Sequence, residues 1–243
     1  MISFVVPAYN EERLLGRTLT AIHRAARGAA EPYEILVVDD ASTDSTAEIA
    51  RAHGARVLPV HFRQIARTRN AGARAACGEM LIFVDADTRI FAETVRATIE
   101  ALRRGAVGGG ADVRFDGALP LWAIVMIPVL GTLMRVSRLA AGCYLFCSRD
   151  AFDRTGGFDE RLFAAEEIAF SRALAARGPV VILRETVVTS GRKLRSHSGW
   201  DVLRLFAGFL RWGVKVVRDR ERLAIWYGER QHDKEEMQEK DQG

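Results

Sequence analysis

The chain is predicted to fold as an α/β domain built on a central, mainly parallel sheet flanked by helices. Short unbroken apolar runs (ISFVVP, YEILVVDD, MLIFVDAD) have the character of strands buried on both faces. They alternate with segments whose apolar residues recur every three or four positions, an order that closes into right-handed βαβ units. Three of the first four runs also end in polar groups, which parallel pairing gathers on one sheet edge: Tyr9-Asn10-Glu11, Asp39-Asp40 and Asp85-Ala86-Asp87.

Taken in order, residues 2–7 are the first strand, stopped by Pro7. Asn10 is placed to cap the next helix, with Glu11 and Glu12 in its first turn. There the helix dipole favours anions. Leu15, Leu19, Ile22 and Ala26 mark its buried stripe, and Gly28 its end. After YEILVVDD, Ser45-Thr46-Ala47-Glu48 reads as a capping box opening a short helix that stops at Gly54. RVLPV is a weaker third strand, a helix covers 64–76, and MLIFVDAD is the fourth strand. An amphipathic helix through Val95, Ile99 and Leu102 follows.

Beyond residue 105 the rhythm breaks. VGGGADVRF reads as a strand whose glycines allow close backbone approach. GCYLFCSRDAF is a strand and turn, TGGF a loop, 166–177 a helix, and GPVVILRETVVTSGRK a closing strand or hairpin. From 200 to 222, Leu203, Phe206, Phe209, Leu210, Val214 and Val217 alternate with Arg and Lys in an amphipathic helix, suited to packing on the sheet or resting on an anionic bilayer. One domain is expected over 1–230, with a polar, disordered tail over 231–243.

The chain has 243 residues, 49% hydrophobic and 27% charged, a globular composition large enough for a sizeable core. A net charge of +4, with Lys and Arg scattered, suits phosphate-bearing ligands or an anionic membrane surface and argues against nucleic acid. Three cysteines (Cys77, Cys143, Cys147) make no even framework and are expected to be reduced, structural and cytosolic. The opening MISFVVPAY lacks the pattern of a signal peptide. Residues 117–134 are uncharged and apolar, but short for a span and interrupted by Pro120, Pro128 and Gly131. A buried or interfacial helix pair is expected there, its aromatic and Met residues lining the core or an acceptor groove. His23, His53 and His61 carry no expected role.

The chemistry centres on IFVDADTRI. Asp85 and Asp87 flank Ala86 where a strand becomes a loop, so both carboxylates can face one hard cation. Mg²⁺ or Mn²⁺ held by few protein oxygens keeps positions open for a diphosphate and stabilises its departure. A polar strand terminus with a helix cap yields the same short pattern, so the motif alone does not decide.

Its company does. VVPAYNE, ILVVDDASTD, ARTRNAG and FVDADT occur in that order within the first 90 residues, and GGFDERLFAAEEIAF follows. Together these motifs resemble those of family-2 glycosyltransferases of the GT-A fold, over roughly residues 2–170. The resemblance implies a nucleotide-sugar-binding half over about 1–110 and an acceptor half over about 111–230. It implies that Pro7, Tyr9 and Glu11 line the nucleoside pocket, that Asp40 accepts a hydrogen bond from the base, and that Asp39 supports the turn. Arg69 would lie near the nucleotide-sugar. Asp87 would be the main metal ligand, with Asp85 on ribose, sugar or metal-bound water and Ala86 between them.

In the family an acid opening a helix deprotonates the acceptor. Here the pair is Glu166-Glu167, a departure from Glu-Asp, with Glu167 preferred as base and Glu166 the alternative. Of the basic loop TSGRKLRSH, Arg192 would meet the diphosphate and His197 would be a further metal ligand.

The activity implied is metal-assisted, inverting transfer of a single sugar from a UDP- or GDP-sugar to an acceptor hydroxyl. The setting implied is cytoplasmic, with peripheral contact at the inner face of the membrane. Sugar transfer to a polyprenyl phosphate at the membrane surface is the alternative within that chemistry; a non-catalytic nucleotide-binding protein is the alternative outside it. A dinucleotide oxidoreductase would carry G-x-G-x-x-G where this chain has PAYNEE.

Overall fold

The computed structural model of the chain describes residues 1–196. His197, the expected helix at 200–222 and the tail lie outside the described residues.

Eight strands form one sheet in the order β3-β2-β1-β4-β7-β6-β8-β5. Its first half is parallel: β1 (Ile2–Ala8) lies between β2 (Tyr33–Asp40) and β4 (Met80–Val84), with β3 (Arg56–Val60) outside β2. The second half is mixed, and parallel pairings remain the majority across the sheet, as the sequence predicts. β7 (Tyr144–Ser148) runs antiparallel between β4 and β6 (Gly108–Phe115), and β6 pairs in parallel with β8 (Val180–Thr189). The two-residue β5 (Thr88–Arg89) pairs antiparallel with the end of β8.

Period-2 alternation sends Ile2, Phe4 and Val6 to one face of the sheet and Val5 to the other. The first face is covered by α1 (Leu15–Ala29), through Leu15, Leu19 and Ile22, and by α4 (Ala92–Arg103), through Val95 and Ile99. The opposite face carries α3 (Ile65–Ala75), α6 (Arg149–Thr155) and α7 (Glu166–Ala175), with Phe83, Phe152, Phe158 and Phe170 as an aromatic cluster. Close approach explains two glycines. A Cβ on Gly72 would stand 2.4 Å from Val5 Cγ1 and 2.7 Å from Val38 Cγ2, so α3 sits directly on β1 and β2. A Cβ on Gly109 would stand 1.8 Å from the Val181 carbonyl oxygen, and only glycine fits that point of β6.

Local signals gave way to tertiary partners at three places. β1 continues through Pro7 to Ala8; its pairing with β4 ends at Val5, so a residue without N–H is tolerated beyond it. Asn10 does not cap α1. It adopts φ 50°, and its Oδ1 accepts from Thr43 N at 2.8 Å, tying the loops after β1 and β2 together. Ser45 makes no capping box on α2 (Thr46–Ala52). Asp44 Oδ1 accepts from Thr46 N at 3.0 Å instead, while the Thr46 hydroxyl accepts from Glu11 N at 2.8 Å.

The stretch 117–134 also differs from expectation. It forms one helix, α5 (Leu121–Val136), with Pro128 inside it, and of its residues Ala123 alone is buried. It is neither a helix pair nor part of the core. No helix among the described residues is long and apolar enough to cross a membrane. Of the cysteines, Cys147 is buried, Cys143 partly so, and Cys77 exposed, so the structural role expected of all three does not extend to Cys77.

Candidate active site

The parallel pairing of β2, β1 and β4 brings the three polar strand ends to one rim. What each side chain does there is decided by neighbours distant in sequence.

Asp40, expected to receive the base, is already saturated. Oδ1 accepts from the backbone N–H of Phe62 (2.6 Å) and Arg63 (2.8 Å); Oδ2 accepts from Gln64 N (3.1 Å) and the Thr68 hydroxyl (2.8 Å). Four donors fill the acceptor sites of one carboxylate, so Asp40 holds the β3–α3 loop and has nothing left for a ligand. Asp39 Oδ1 accepts from Ser42 N at 3.2 Å within the turn after β2. No donor among the described residues is placed on its Oδ2. Replacing Asp40 with Ala is expected to cost about 3 kcal/mol, because three backbone amides and a hydroxyl lose a charged partner. Urea unfolding measures this; a loss under about 1 kcal/mol would contradict the role.

Above Asp39 and Asp40, the guanidinium of Arg63 lies on the ring of Tyr9, its Cζ 3.4 Å from the centroid. Arg63 has φ 51°, fixed by the same loop that Asp40 holds. Sequence reasoning missed Arg63, since nothing in HFRQ announces a stacking partner. Pro7 is buried inside β1 rather than displayed at the rim.

Arg69 is the hub of the second cluster. Its Nη1 donates to Glu166 Oε1 (2.8 Å); its Nη2 donates to Asp85 Oδ1 (2.9 Å) and the Gly142 carbonyl (2.8 Å). The side chain is 2% exposed. Burial works against its charge, but Asp85, Glu166 and Glu167 outweigh that and raise its pKa above the ordinary value. Both Nη atoms are engaged inside the protein, while Nε is buried without a partner, so Arg69 is a strut between the end of β4, the loop before β7, and α7. It is not the nucleotide contact that the resemblance implied.

Glu166, buried against Arg69, is likewise a holding group. Half-buried Glu167 lies beside them: a Cβ on Gly142 would be 3.7 Å from its Cδ. Burial, reinforced by the charge of Glu166, pushes the Glu167 carboxyl up to about 8. Cys143, next to the cluster, keeps its proton, because burial and then Asp85 and Asp87 raise its thiol well above the usual range. The helix carrying the two glutamates is positioned by residues that sequence reading passed over. Asn70 accepts from Phe158 N (2.9 Å) and donates to the Phe158 carbonyl (2.9 Å); Gln64 donates to the carbonyls of Glu160 (2.7 Å) and Leu162 (3.1 Å). Asn70 lies inside ARTRNAG, so the motif was visible although this duty was not.

The D-x-D pair is divided between two arginines. Asp85 faces Arg69, whereas Asp87 Oδ2 accepts from Arg192 Nη2 at 3.0 Å, and the same nitrogen is 2.6 Å from Glu11 Oε1. Pairing of Thr88 with Thr189 places the end of β8 beside Asp87, and α8 (Arg192–Ser196) then delivers Arg192. Ala86 faces the core, its carbonyl accepting from the Thr18 hydroxyl at 2.9 Å. Among the described residues no group of three or more His, Cys, Asp or Glu could hold a metal by itself. Glu11 and Asp87 do converge on one cationic centre, and two hard oxygen donors suit Mg²⁺ or Mn²⁺ that completes its shell with phosphate and water. Glu11 and Asp87 thus share one arginine, whereas Asp85, the other half of the D-x-D motif, turns to Arg69.

Comparison with known proteins gives this rim its relatives. The model of Glycosyl transferase family 2 matches residues 3–152, more than half of the chain. An undecaprenyl-phosphate 4-deoxy-4-formamido-L-arabinose transferase of Pseudomonas paraeruginosa is 32% identical over 215 residues, covering 84% of this chain and 62% of that protein. A validoxylamine A glucosyltransferase of Streptomyces hygroscopicus subsp. limoneus is 34% identical over 107 residues, 42% of this chain and 23% of that protein. Among solved structures, the mannosyltransferase PcManGT from Pyrobaculum calidifontis, in complex with GDP-Man and Mn²⁺, superposes with a TM-score of 0.65 at 21% identity, covering 90% of this chain and 64% of that one. S. aureus TarS 1-349, in complex with UDP-GlcNAc, does so at 0.62 and 20%, covering 78% of this chain and 58% of that one. The chain spans less than two thirds of the length of each of these proteins. The ordered motifs, the sheet that carries them and the family match together make this chain a member of glycosyltransferase family 2, with the GT-A fold.

Proposed function

We propose that the chain transfers a single sugar, with inversion, from a UDP- or GDP-sugar to an acceptor hydroxyl, assisted by Mn²⁺ or Mg²⁺. The observation that carries this reading is the Arg69 strut, which ties Glu166, and with it the start of the helix carrying half-buried Glu167, to Asp85 at the rim. The acceptor oxygen attacks the anomeric carbon from the face opposite the diphosphate, the bond from that carbon to the diphosphate oxygen breaks, and Glu167 takes the hydroxyl proton. In place of Asp40, Asp39 accepts an N–H of the base, and the Tyr9–Arg63 stack lines the nucleoside pocket. A divalent ion at Glu11 and Asp87 would neutralise the departing diphosphate. Arg192 already brings positive charge to those carboxylates and would turn to the diphosphate when the donor enters.

Calorimetric titration of UDP and GDP with Mn²⁺ tests the metal assignment. Asp87→Ala is expected to weaken the Mn²⁺-dependent part of nucleotide binding at least ~10-fold, about 1.4 kcal/mol. Unchanged metal dependence would overturn it. Nucleotide binding without turnover of any nucleotide-sugar would point instead to a non-catalytic binding protein.

A polyprenyl phosphate acceptor is the second reading. It is favoured by the apolar exposure of α5 and by a relative named for undecaprenyl phosphate that covers 84% of this chain. Either acceptor is compatible with a cytoplasmic protein working at the inner face of a membrane.

A further inference from the structure

α5 is the feature that the proposed chemistry leaves unused. Leu121, Ile124, Val125, Val129, Leu133 and Val136 are each between 54% and 82% exposed. At 100° per residue these side chains, with Pro128, span well over a third of the helix circumference. An apolar helix this open to water is rare on a monomeric protein and marks a surface that is covered in use.

We infer that α5 docks into the headgroup and outer acyl region of an anionic bilayer. Three observations select that occupant. No Asp or Glu lies between Asp116 and Asp150; exposed Arg114 and Arg138 flank the helix in sequence, and Arg135 in its last turn pairs with Asp112. That charge pattern complements anionic lipid. Sixteen residues give a helix about 24 Å long, with Pro128 inside it, which is too short to span and suited to lying in the interface. The helix also runs directly into the active site. Four residues after Val136, Ala140 N donates to the Ser171 hydroxyl on α7 (3.1 Å), and the Gly142 carbonyl receives Arg69 (2.8 Å). A membrane bound at α5 is thereby held at the acceptor side of Glu166 and Glu167. This deepens the proposed transfer by naming a lipid-borne acceptor class, and its functional meaning rests on that reading.

The test is co-sedimentation of the full chain with vesicles of phosphatidylcholine alone or with 30 mol% phosphatidylglycerol, beside light scattering for oligomeric state. The wild type is expected to bind the anionic vesicles at least ~10-fold more tightly than the neutral ones. Val125→Glu/Leu133→Glu is expected to reduce that binding at least ~10-fold while keeping the far-UV spectrum and the slow hydrolysis of nucleotide-sugar by water. Equal binding by the variant would overturn the inference and move membrane contact elsewhere, for instance to 200–222. Absence of vesicle binding by the wild type would overturn it too. If the wild type is then a dimer and the variant a monomer, a second copy covers α5. Failure of donor hydrolysis in the wild type would refute the transferase reading instead, so the two failures are distinguishable.

Discussion

Glu167→Gln is expected to lower kcat with a hydroxyl acceptor by about 10³-fold, within the range that general-base catalysis supplies, with little change in nucleotide affinity. The pH dependence carries a sign that checks the cause. The base acts deprotonated, and its carboxyl is raised to about 8, so kcat/KM should climb with pH and level off above about 8. Glu166→Gln removes the neighbouring charge that helps raise it, and should shift the ascending limb to lower pH. Stability should run the other way. Between an unfolded value near 4.5 and about 8 the native state holds a proton that the unfolded chain has lost, so stability falls as pH rises across that window. Glu167→Gln should flatten that slope. A phosphate acceptor gives the opposite profile. Its oxygen is already anionic and needs no base, and a protonated Glu167 can donate to it, so turnover would decline through pH 8 and survive the Gln substitution. One pair of pH profiles, with a hydroxyl and a phosphate acceptor, therefore separates the two readings.

Arg69→Leu is expected to destabilise the fold by about 3–5 kcal/mol, the usual cost of leaving buried charge uncompensated. Glu166 loses its partner, Asp85 loses its orientation, and the Gly142 carbonyl loses its donor. Arg69→Lys should recover little, since a single ammonium group cannot reproduce the planar fork that reaches all three. Adding Glu166→Gln to Arg69→Leu should restore part of the loss by removing one stranded charge. Guanidinium unfolding of the wild type, Arg69→Leu, Glu166→Gln and the double variant measures the coupling. A loss under about 1 kcal/mol for Arg69→Leu would mean that the strut is dispensable.

The boundary between what was readable in advance and what was not runs through single motifs. The runs ISFVVP, YEILVVDD and MLIFVDAD announced three neighbouring strands and the rim at their ends, because burial on both faces demands unbroken apolar sequence. Helix α1 was legible from Leu15, Leu19 and Ile22, since one face had to meet the sheet. Amphipathic period and strand hydrophobicity are properties of contiguous residues.

Partner choice is not such a property. Asp39 and Asp40 are adjacent and chemically identical, yet the loop at Phe62–Gln64 closes on Asp40, more than twenty residues away. Asp85 and Asp87 share one motif, yet Arg69 takes the first and Arg192 the second, because α3 lies on the face of the sheet below Asp85 while the β5–β8 pairing brings α8 to Asp87. The exposure of α5 was equally hidden. An apolar helix reads the same whether it is covered by protein or open to a membrane, and packing around it decides which. The order of motifs along the chain thus determined the family, the rim and its residue types. The partner of each carboxylate came from the three-dimensional register, where contacts of about 3 Å join residues from sixteen to more than a hundred positions apart.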